Sequence, residues 1–370
     1  MTSSRQGIYE RFIRPYFFNM DPEDAHLLAH KLAPALSIAR AQTEIWYSQL
    51  SPRLAVELAG AKLSNPLGLA AGFDKNGDLV EYLRLMGFGF AEIGSVTARP
   101  SPGNPRPRIF RLLEDEAVIN YMGLNGQGAI KVAGKLAVAH PSVPLSINIA
   151  KTNDPSIVGD RAVEDFVNSF KAVKDLSVIY VAINVSCPNT HETKLAEVAT
   201  IDAVLAEVVK LNSRKLPLFL KLSPDSDTEM LQNVAQVAAK HELAGFICGN
   251  TSVDRSAVKT AEETLRTIGP GGLSGPPIRE KALAVCRQMW ELKQDGQQII
   301  ACGGIGSGAD AFRFIQAGAT AVQLYTALVY GGPFLPFTIL KELGAILDDR
   351  KLTVAEAVGS GNRKQLPARI

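Results

Sequence analysis

Cysteine is scarce and scattered in this chain: four residues in 370, Cys187, Cys248, Cys286 and Cys302, with no C-x-x-C pair among them. That spacing gives no support to a zinc site, an iron–sulfur cluster or a redox dithiol, and it points to a reducing compartment without disulfides. An excess of charge of one sign is missing too. Lys and Arg number 39 against 37 Asp and Glu, a net +2, and the basic residues are dispersed rather than striped, so nothing marks a nucleic-acid partner. No apolar run reaches the roughly 18 to 20 residues of a membrane-spanning helix. The first residues also lack the unbroken apolar core of a signal peptide, so any membrane contact is expected to be peripheral. The rest is ordinary globular material, 46% hydrophobic and 21% charged, enough for one large domain with an appendage.

The appendage is expected at residues 1–42. Ile8, Phe12, Ile13, Tyr16 and Phe17 recur at three- and four-residue spacing, which predicts a first helix with an apolar face. Asn19 to Pro22 breaks it, Asp21 is placed to cap a second helix, and Pro22 suits its first turn. Leu28, Leu32 and Leu36 give that second helix its stripe, and Pro34 kinks or ends it. The expectation is a two-helix hairpin followed by a domain over 43–370.

From Pro66 the rhythm changes to short β-rich runs separated by helical stretches. Eight are visible: Pro66 to Ala71, Ala91 to Ser95, Leu145 to Ile149, Ile179 to Val185, Leu218 to Leu222, Gly245 to Gly249, Gln298 to Cys302 and Ala321 to Leu324. Eight strands alternating with helices over about 300 residues predict an α/β fold of the (β/α)8 TIM-barrel type rather than a doubly wound sheet.

Such a barrel works at the C-terminal ends of its strands, and the polar residues gather there. Lys75 follows the first run, Ser95 and Thr97 close the second, and Asn148 and Lys151 the third. Asn184 to Thr190 follows the fourth, Lys221 closes the fifth, and Asn250 and Thr251 follow the sixth. Gly303 to Gly308 follows the seventh, and Tyr325 and Thr326 the eighth. One such residue reads as a solvated loop position, whereas a set at every strand end reads as a site. Amides such as Asn148, Asn184, Asn189 and Asn250 suit a planar heterocycle with carbonyl and N–H edges.

The glycine-rich loop C-G-G-I-G-S-G (302–308) stands where such barrels bind phosphate with bare backbone N–H groups. Gly304, Gly306 and Ala309 meet a relaxed dinucleotide fingerprint, but that pattern belongs to a first strand and wants an acidic residue about 20 positions on. Positions 325–330 hold none, which favours a mononucleotide, FMN over NAD. Cys187, in a loop bounded by Pro188 and Asn189, is the candidate reactive thiol; the other three cysteines read as small buried hydrophobes.

These motifs resemble one family, dihydroorotate dehydrogenase, from residue 8 to the mid-350s. They are A-A-G-F-D-K-N-G (70–77), E-I-G-S-V-T (92–97), G-N-P-R-P-R-I-F-R-L (103–112), I-N-Y-M-G-L-N (119–125), N-V-S-C-P-N-T (184–190), G-G-L-S-G (271–275) and V-Q-L-Y-T-A-L (322–328). D-P-E-D-A-H (21–26) and its hairpin are similar to the membrane-associated, quinone-using class 2 enzymes. The resemblance implies oxidation of dihydroorotate to orotate in pyrimidine synthesis, with a base taking the C5 proton while a hydride leaves C6 for the flavin. Cys187 matches the base position. Lys75, Asn120, Asn125, Asn184, Asn189, Asn250 and Thr251 match the orotate-binding residues. Ala71, Ser95, Asn148, Asn184, Lys221, Gly249, Gly275, Gly304, Tyr325 and Thr326 match the FMN-binding positions. A quinone would reach the flavin between the two helices, near His26, Arg111 and Tyr325. The implied setting is peripheral, on the cytoplasmic face of a bacterial-type inner membrane or on the mitochondrial inner membrane of a eukaryote. No metal and no nucleic acid are implied.

Three positions depart from the family's pattern. Cys187 stands where class 2 enzymes usually place serine and class 1 enzymes cysteine, which keeps a class 1 activity with fumarate or NAD as the alternative. Gly249 replaces a common threonine and is expected to loosen one FMN contact. Phe17 replaces a polar quinone-pocket residue and makes the tunnel more apolar. More distant alternatives are a flavin-dependent tRNA uridine reductase, which should carry a basic RNA-binding surface, and a flavoprotein without turnover.

Overall fold

Strands buried on both faces must be apolar along their whole length, and the short apolar runs of this chain close into one parallel barrel. The structure is a computed structural model in which residues 7, 9–185 and 194–362 are described. The barrel strands, in chain order, are β1 (Leu67–Leu69), β2 (Phe90–Val96), β3 (Leu145–Ala150), β4 (Val181–Asn184), β5 (Leu218–Leu222), β6 (Gly245–Cys248), β7 (Gln298–Cys302) and β8 (Ala321–Leu324). Each pairs with the next, and β8 closes on β1, with Val322, Gln323 and Leu324 opposite Leu67, Gly68 and Leu69. β5, β7 and β8 have the expected bounds. β1 is shorter than its run, which opens on Pro66, a residue without an N–H to give a ladder.

Helices cover the outside. In Asp160–Val173 the residues Ala162, Phe166, Phe170 and Val173 are buried at three- and four-residue spacing. Phe170 is wholly buried, so its truncation to alanine would cost about 3–5 kcal/mol. Inside the barrel, Gly68 leaves room for the Phe90 ring, which a Cβ would strike at 2.3 Å. The register of β2 on β3 jumps between Gly94 and Val96, and this bulge lets Ser95 sit at the mouth.

Two small sheets were not expected from the sequence. A hairpin of Val56–Leu58 and Ala61–Leu63 packs at the start of β7, where Gln298 bonds Ala59 N and Glu57 O. A three-stranded antiparallel sheet, Gly272–Ser274, Ala117–Asn120 and Ile109–Leu112, is built from the segments that follow β2 and β6 and has its own core of Leu112, Ala117, Ile119, Leu273 and Ile278.

The N-terminal segment is more broken than a plain hairpin. A π-helical turn, Tyr9–Ile13, leads into a short helix, Arg14–Phe18; Ile8 lies outside the described residues. The second helix, Pro22–Leu32, is capped by Asp21, whose carboxylate accepts from Glu23 N at 2.9 Å and Asp24 N at 3.2 Å. Pro34 falls in a 3-10 stretch, Ala33–Ala39, and a further helix, Arg40–Ser48, crosses the boundary expected at 42. Glu23 fixes this segment to the small sheet: Arg108 grips its carboxylate at 2.7 and 2.9 Å and Arg106 adds a contact at 2.9 Å. Among the described residues no helix is long and apolar enough to cross a membrane.

Candidate functional site

One cavity of about 1040 Å³ runs from the C-terminal mouth of the barrel to the N-terminal helices. Its floor is charged. Lys221, at the inward-facing end of β5, is nearly enclosed, and its Nζ lies 3.1 Å from the carboxylate of Glu92, which is wholly buried on β2. Glu92 also accepts from Asn148 Nδ2, Tyr180 Oη and Gln323 Nε2, each at 2.8 Å. Four strands or their approaches thus converge on one carboxylate. Burial alone would lower the Lys221 pKa, but the Glu92 charge overcomes it, and the net shift is upward.

Amides and hydroxyls line the wall in a relay. Ser95 Oγ bonds Asn148, Asn184 Nδ2 donates to Ser95 Oγ at 3.2 Å, and Asn250 Nδ2 donates to Asn184 Oδ1 at 3.4 Å. Asn250 Oδ1 in turn accepts from Thr251 N at 2.8 Å. Asn120, on the small sheet, reaches Gly272 O across it. Lys75 bonds Asn125, and burial, helped by Arg108 and opposed by Glu23, brings its ammonium down to about 8.

On another side the chain is glycine-rich by necessity. Gly304 has φ +69°, and a Cβ there would meet both Arg279 Cβ and Gly275 O at 2.8 Å. The loop leads into the helix Gly308–Gln316, capped by Ser307, and Thr326 Oγ1 donates to Ser274 Oγ at 2.9 Å beside it. Arg279, which the sequence reading did not single out, lines the same wall, with Nε on Gly304 O at 2.6 Å.

The helical side is apolar and aromatic. Phe73 packs edge-on to His26 at 5.0 Å and to Tyr325 at 5.3 Å, forming a bridge from the hairpin to the end of β8. Burial, with added repulsion from His30 and Lys75, holds the His26 imidazole down at about 3, so it is neutral at pH 7. Burial pushes the Tyr325 phenol up to about 12. Arg111 donates to the carbonyls of Phe17, Phe18 and Met20, tying off the first helix, while its guanidinium sits 4.6 Å from the Phe18 ring centre. His30, one turn after His26, also faces the cavity; its Nε2 is buried without a hydrogen-bond partner. A His30 ring nitrogen lies within 4.8 Å of the Asp74 and Asp78 carboxylates, but Asp74 is already taken by the N–H groups of Asp78 and Leu79.

Most of the expected residues therefore share this cavity: Lys75, Asn120, Asn184, Asn250 and Thr251; Ala71, Ser95, Lys221, Gly275, Gly304, Tyr325 and Thr326; His26 and Arg111. Phe17 lines it as well. Asn125 stands behind Lys75, and Asn148 lies beneath the floor, fully buried. Gly249 lies outside the lining. Its φ is +125°, and a Cβ would come within 1.6 Å of Cys302 O, so close approach of β6 to β7 demands glycine there. Cys187 and Asn189 fall outside the described residues. Cys248 and Cys286 are buried as expected, whereas Cys302 reaches the cavity, its thiol kept protonated by burial.

Residues 53–347 match the family model described as dihydroorotate dehydrogenase. A protein of Roseiflexus sp. (strain RS-1) named dihydroorotate dehydrogenase (quinone) is 39% identical over 356 residues, covering 94% of this chain and 97% of its own. A Mycobacterium ulcerans protein of the same name is 40% identical over 324 residues, 86% of this chain and 88% of its own. The crystal structure of the Eimeria tenella DHODH in complex with ferulenol superimposes with a TM-score of 0.78 at 31% identity, covering 93% of this chain and 96% of that one.

Proposed function

The chain belongs to the dihydroorotate dehydrogenase family, and from that premise we propose that it oxidises dihydroorotate to orotate in pyrimidine synthesis, with FMN as hydride acceptor and a quinone as final electron acceptor. One observation carries the reading: a single cavity joins a buried cation, a cluster of amides and an apolar helical mouth. The family is one of flavoproteins, and the cavity's residues fit FMN. Lys221 offers an enclosed positive charge, Ser95 and Asn184 offer directional polar atoms, and the glycine loop at Gly304 keeps a wall open that any side chain would fill. Ala71, Gly275, Tyr325 and Thr326 would complete the seat. When bound, FMN supplies a two-electron acceptor that no side chain offers.

Dihydroorotate is an anionic ring with alternating donors and acceptors. Lys75 is placed to hold its carboxylate, and Asn120, Asn184, Asn250 and Thr251 to read its edges, with Asn125 fixing Lys75. Asn189 and the base Cys187 would come from the segment after β4, and the thiolate would take the C5 proton as the C6 hydride leaves. At the other end, neutral His26, with Phe17, Phe73 and Tyr325, offers largely apolar surface to a quinone ring. Phe12, Tyr16, Leu27, Leu32 and Ile38 stay exposed on the same helices, which supports peripheral contact with a bilayer.

The test is anaerobic reduction of the purified protein by dihydroorotate, followed by mixing with a short-chain quinone, fumarate or NAD in parallel. Bleaching of bound flavin and rapid reoxidation by quinone alone is the expected result. Reoxidation by fumarate, with quinone inert, would make Cys187 the truer marker of class and overturn the acceptor.

A further inference from the structure

Glu92 is a fully enclosed carboxylate in the barrel wall, and no contact with substrate or quinone accounts for it. It has no exposed surface, and its carboxylate is used up by donors from four sources: Lys221, Asn148, Tyr180 and Gln323. A buried carboxylate is tolerated only when paired and hydrogen-bonded. Its ionic partner, Lys221, lines the cavity, as does Gln323, so the one charge that balances Glu92 is presented to the cofactor seat. A lysine in such a place without a counter-ion would shed its proton.

We propose that Glu92 is a positioning residue that holds Lys221 permanently charged against the cofactor seat, so that bound FMN takes up one proton, rather than two, with each pair of electrons. The proposal rests on the FMN reading. With Lys221 already an ammonium, two electrons and one proton convert the flavin to its anionic reduced form, whose negative charge the ammonium balances. Without Glu92, Lys221 is a neutral amine while the flavin is oxidised. The same two electrons then draw in a second proton, which binds to Lys221 Nζ.

Lys75, which lines the same cavity and is held at about 8, is common to every variant compared. Among the described residues, the titratable groups in contact with the pair are Tyr180 just before β4 and Cys302 at the end of β7; the other neighbours, Asn148, Asn184, Ile247 and Gln323, are neutral. Burial, reinforced by Glu92, holds the Tyr180 phenol well above its ordinary range, and burial likewise raises the Cys302 thiol. Lys221 itself is shifted upward despite its burial, as a Glu92 partner requires.

Glu92→Gln is a compatible substitution. Its amide oxygen can keep facing Asn148 and Lys221. Its NH2 can donate to the Tyr180 oxygen and to Gln323 Oε1, a buried acceptor with no partner in the native arrangement. The experiment is the pH dependence of the midpoint potential of bound FMN between about pH 7.5 and 9, below the ordinary lysine range, with melting temperature recorded alongside. The wild type should show one proton per two electrons, and Glu92→Gln a pH slope twice as steep. In Glu92→Gln/Lys221→Met the slope should return to the wild-type value, because no lysine remains to titrate.

An unchanged slope in Glu92→Gln, or a doubled slope that persists in the double variant, would overturn the proposal. Should Glu92→Gln lose its flavin, the wild type decides alone: two protons per electron pair there would refute a permanently charged Lys221, and one would support it. A wild type that holds no flavin at all would instead remove the FMN reading, and this inference with it.

Discussion

Lys75 is a cation kept where burial disfavours it, which is the signature of a group retained for what it binds. Its ammonium falls from 10.5 to about 8, a penalty of about 3 kcal/mol at 1.36 kcal/mol per pH unit. The unfolded chain therefore binds more protons between about pH 8 and 10.5, and stability rises with pH across that window as the native charge is relieved. Lys75→Met should accordingly raise the melting temperature at pH 7, by the equivalent of about 1–3 kcal/mol, while abolishing dihydroorotate binding. A destabilised variant in calorimetry would show that Lys75 is a structural group. In the wild type, KM for dihydroorotate should climb above about pH 8 as the charge is lost. Cys187 carries a different pH prediction. A thiol is far more acidic than a serine hydroxyl, so Cys187→Ser should displace the pH profile of flavin reduction to higher pH, and an unchanged profile in stopped-flow traces would remove the base role.

The elements were legible in unequal measure, for physical reasons. Barrel strands such as Leu218–Leu222 and Ala321–Leu324 are buried on both faces, so their apolar runs stand out against the helices between them. The small sheet at the mouth was invisible because Ile109–Leu112 and Gly272–Ser274 are three or four residues long and pair across distant segments. Glu92 was hidden inside a quoted motif, E-I-G-S-V-T: a carboxylate in a strand gives no sign of its partners until β3, β5 and β8 are brought beside it. Phe73 likewise gives no sign in the sequence of the His26 and Tyr325 rings that it touches. The link between helix Pro22–Leu32 and the small sheet also appears only in three dimensions, and it yields a prediction. Glu23 and Arg108 are both over nine-tenths buried, and removing one partner of such a pair costs about 3 kcal/mol or more. Glu23→Gln should free the helix, making the chain near Asn19 to Asp21 sensitive to protease. Reoxidation by quinone should slow by about tenfold to a hundredfold, because the headgroup loses its position, with reduction by dihydroorotate little changed. Equal loss in both half-reactions would mean that the helix supports the whole barrel mouth.

At the scale of the molecule, the two ends of the cavity are chemically unlike. One is walled by Asn120, Asn184, Asn250 and Lys75, the other by Tyr9, Ile13, Phe17 and Leu36 from the N-terminal segment. An anionic ring has no reason to leave the first for the second, and an isoprenoid quinone has none to enter the first. Between them, among the described residues, lie Lys221, the glycine loop and the His26–Phe73–Tyr325 bridge, where the proposed cofactor seat would meet both ends. FMN held there would supply a store for electrons after one partner has reacted and before the other arrives, so that neither binding event would require the other. Initial rates at varied dihydroorotate and fixed quinone levels should give parallel double-reciprocal lines, and an apolar headgroup analogue should compete with quinone while leaving the reductive half-reaction untouched in single-turnover traces. Lines that converge, or an analogue that blocks flavin reduction, would mean that the two ends act as one site, with the aromatic bridge transmitting occupancy of the helical mouth to the amide wall.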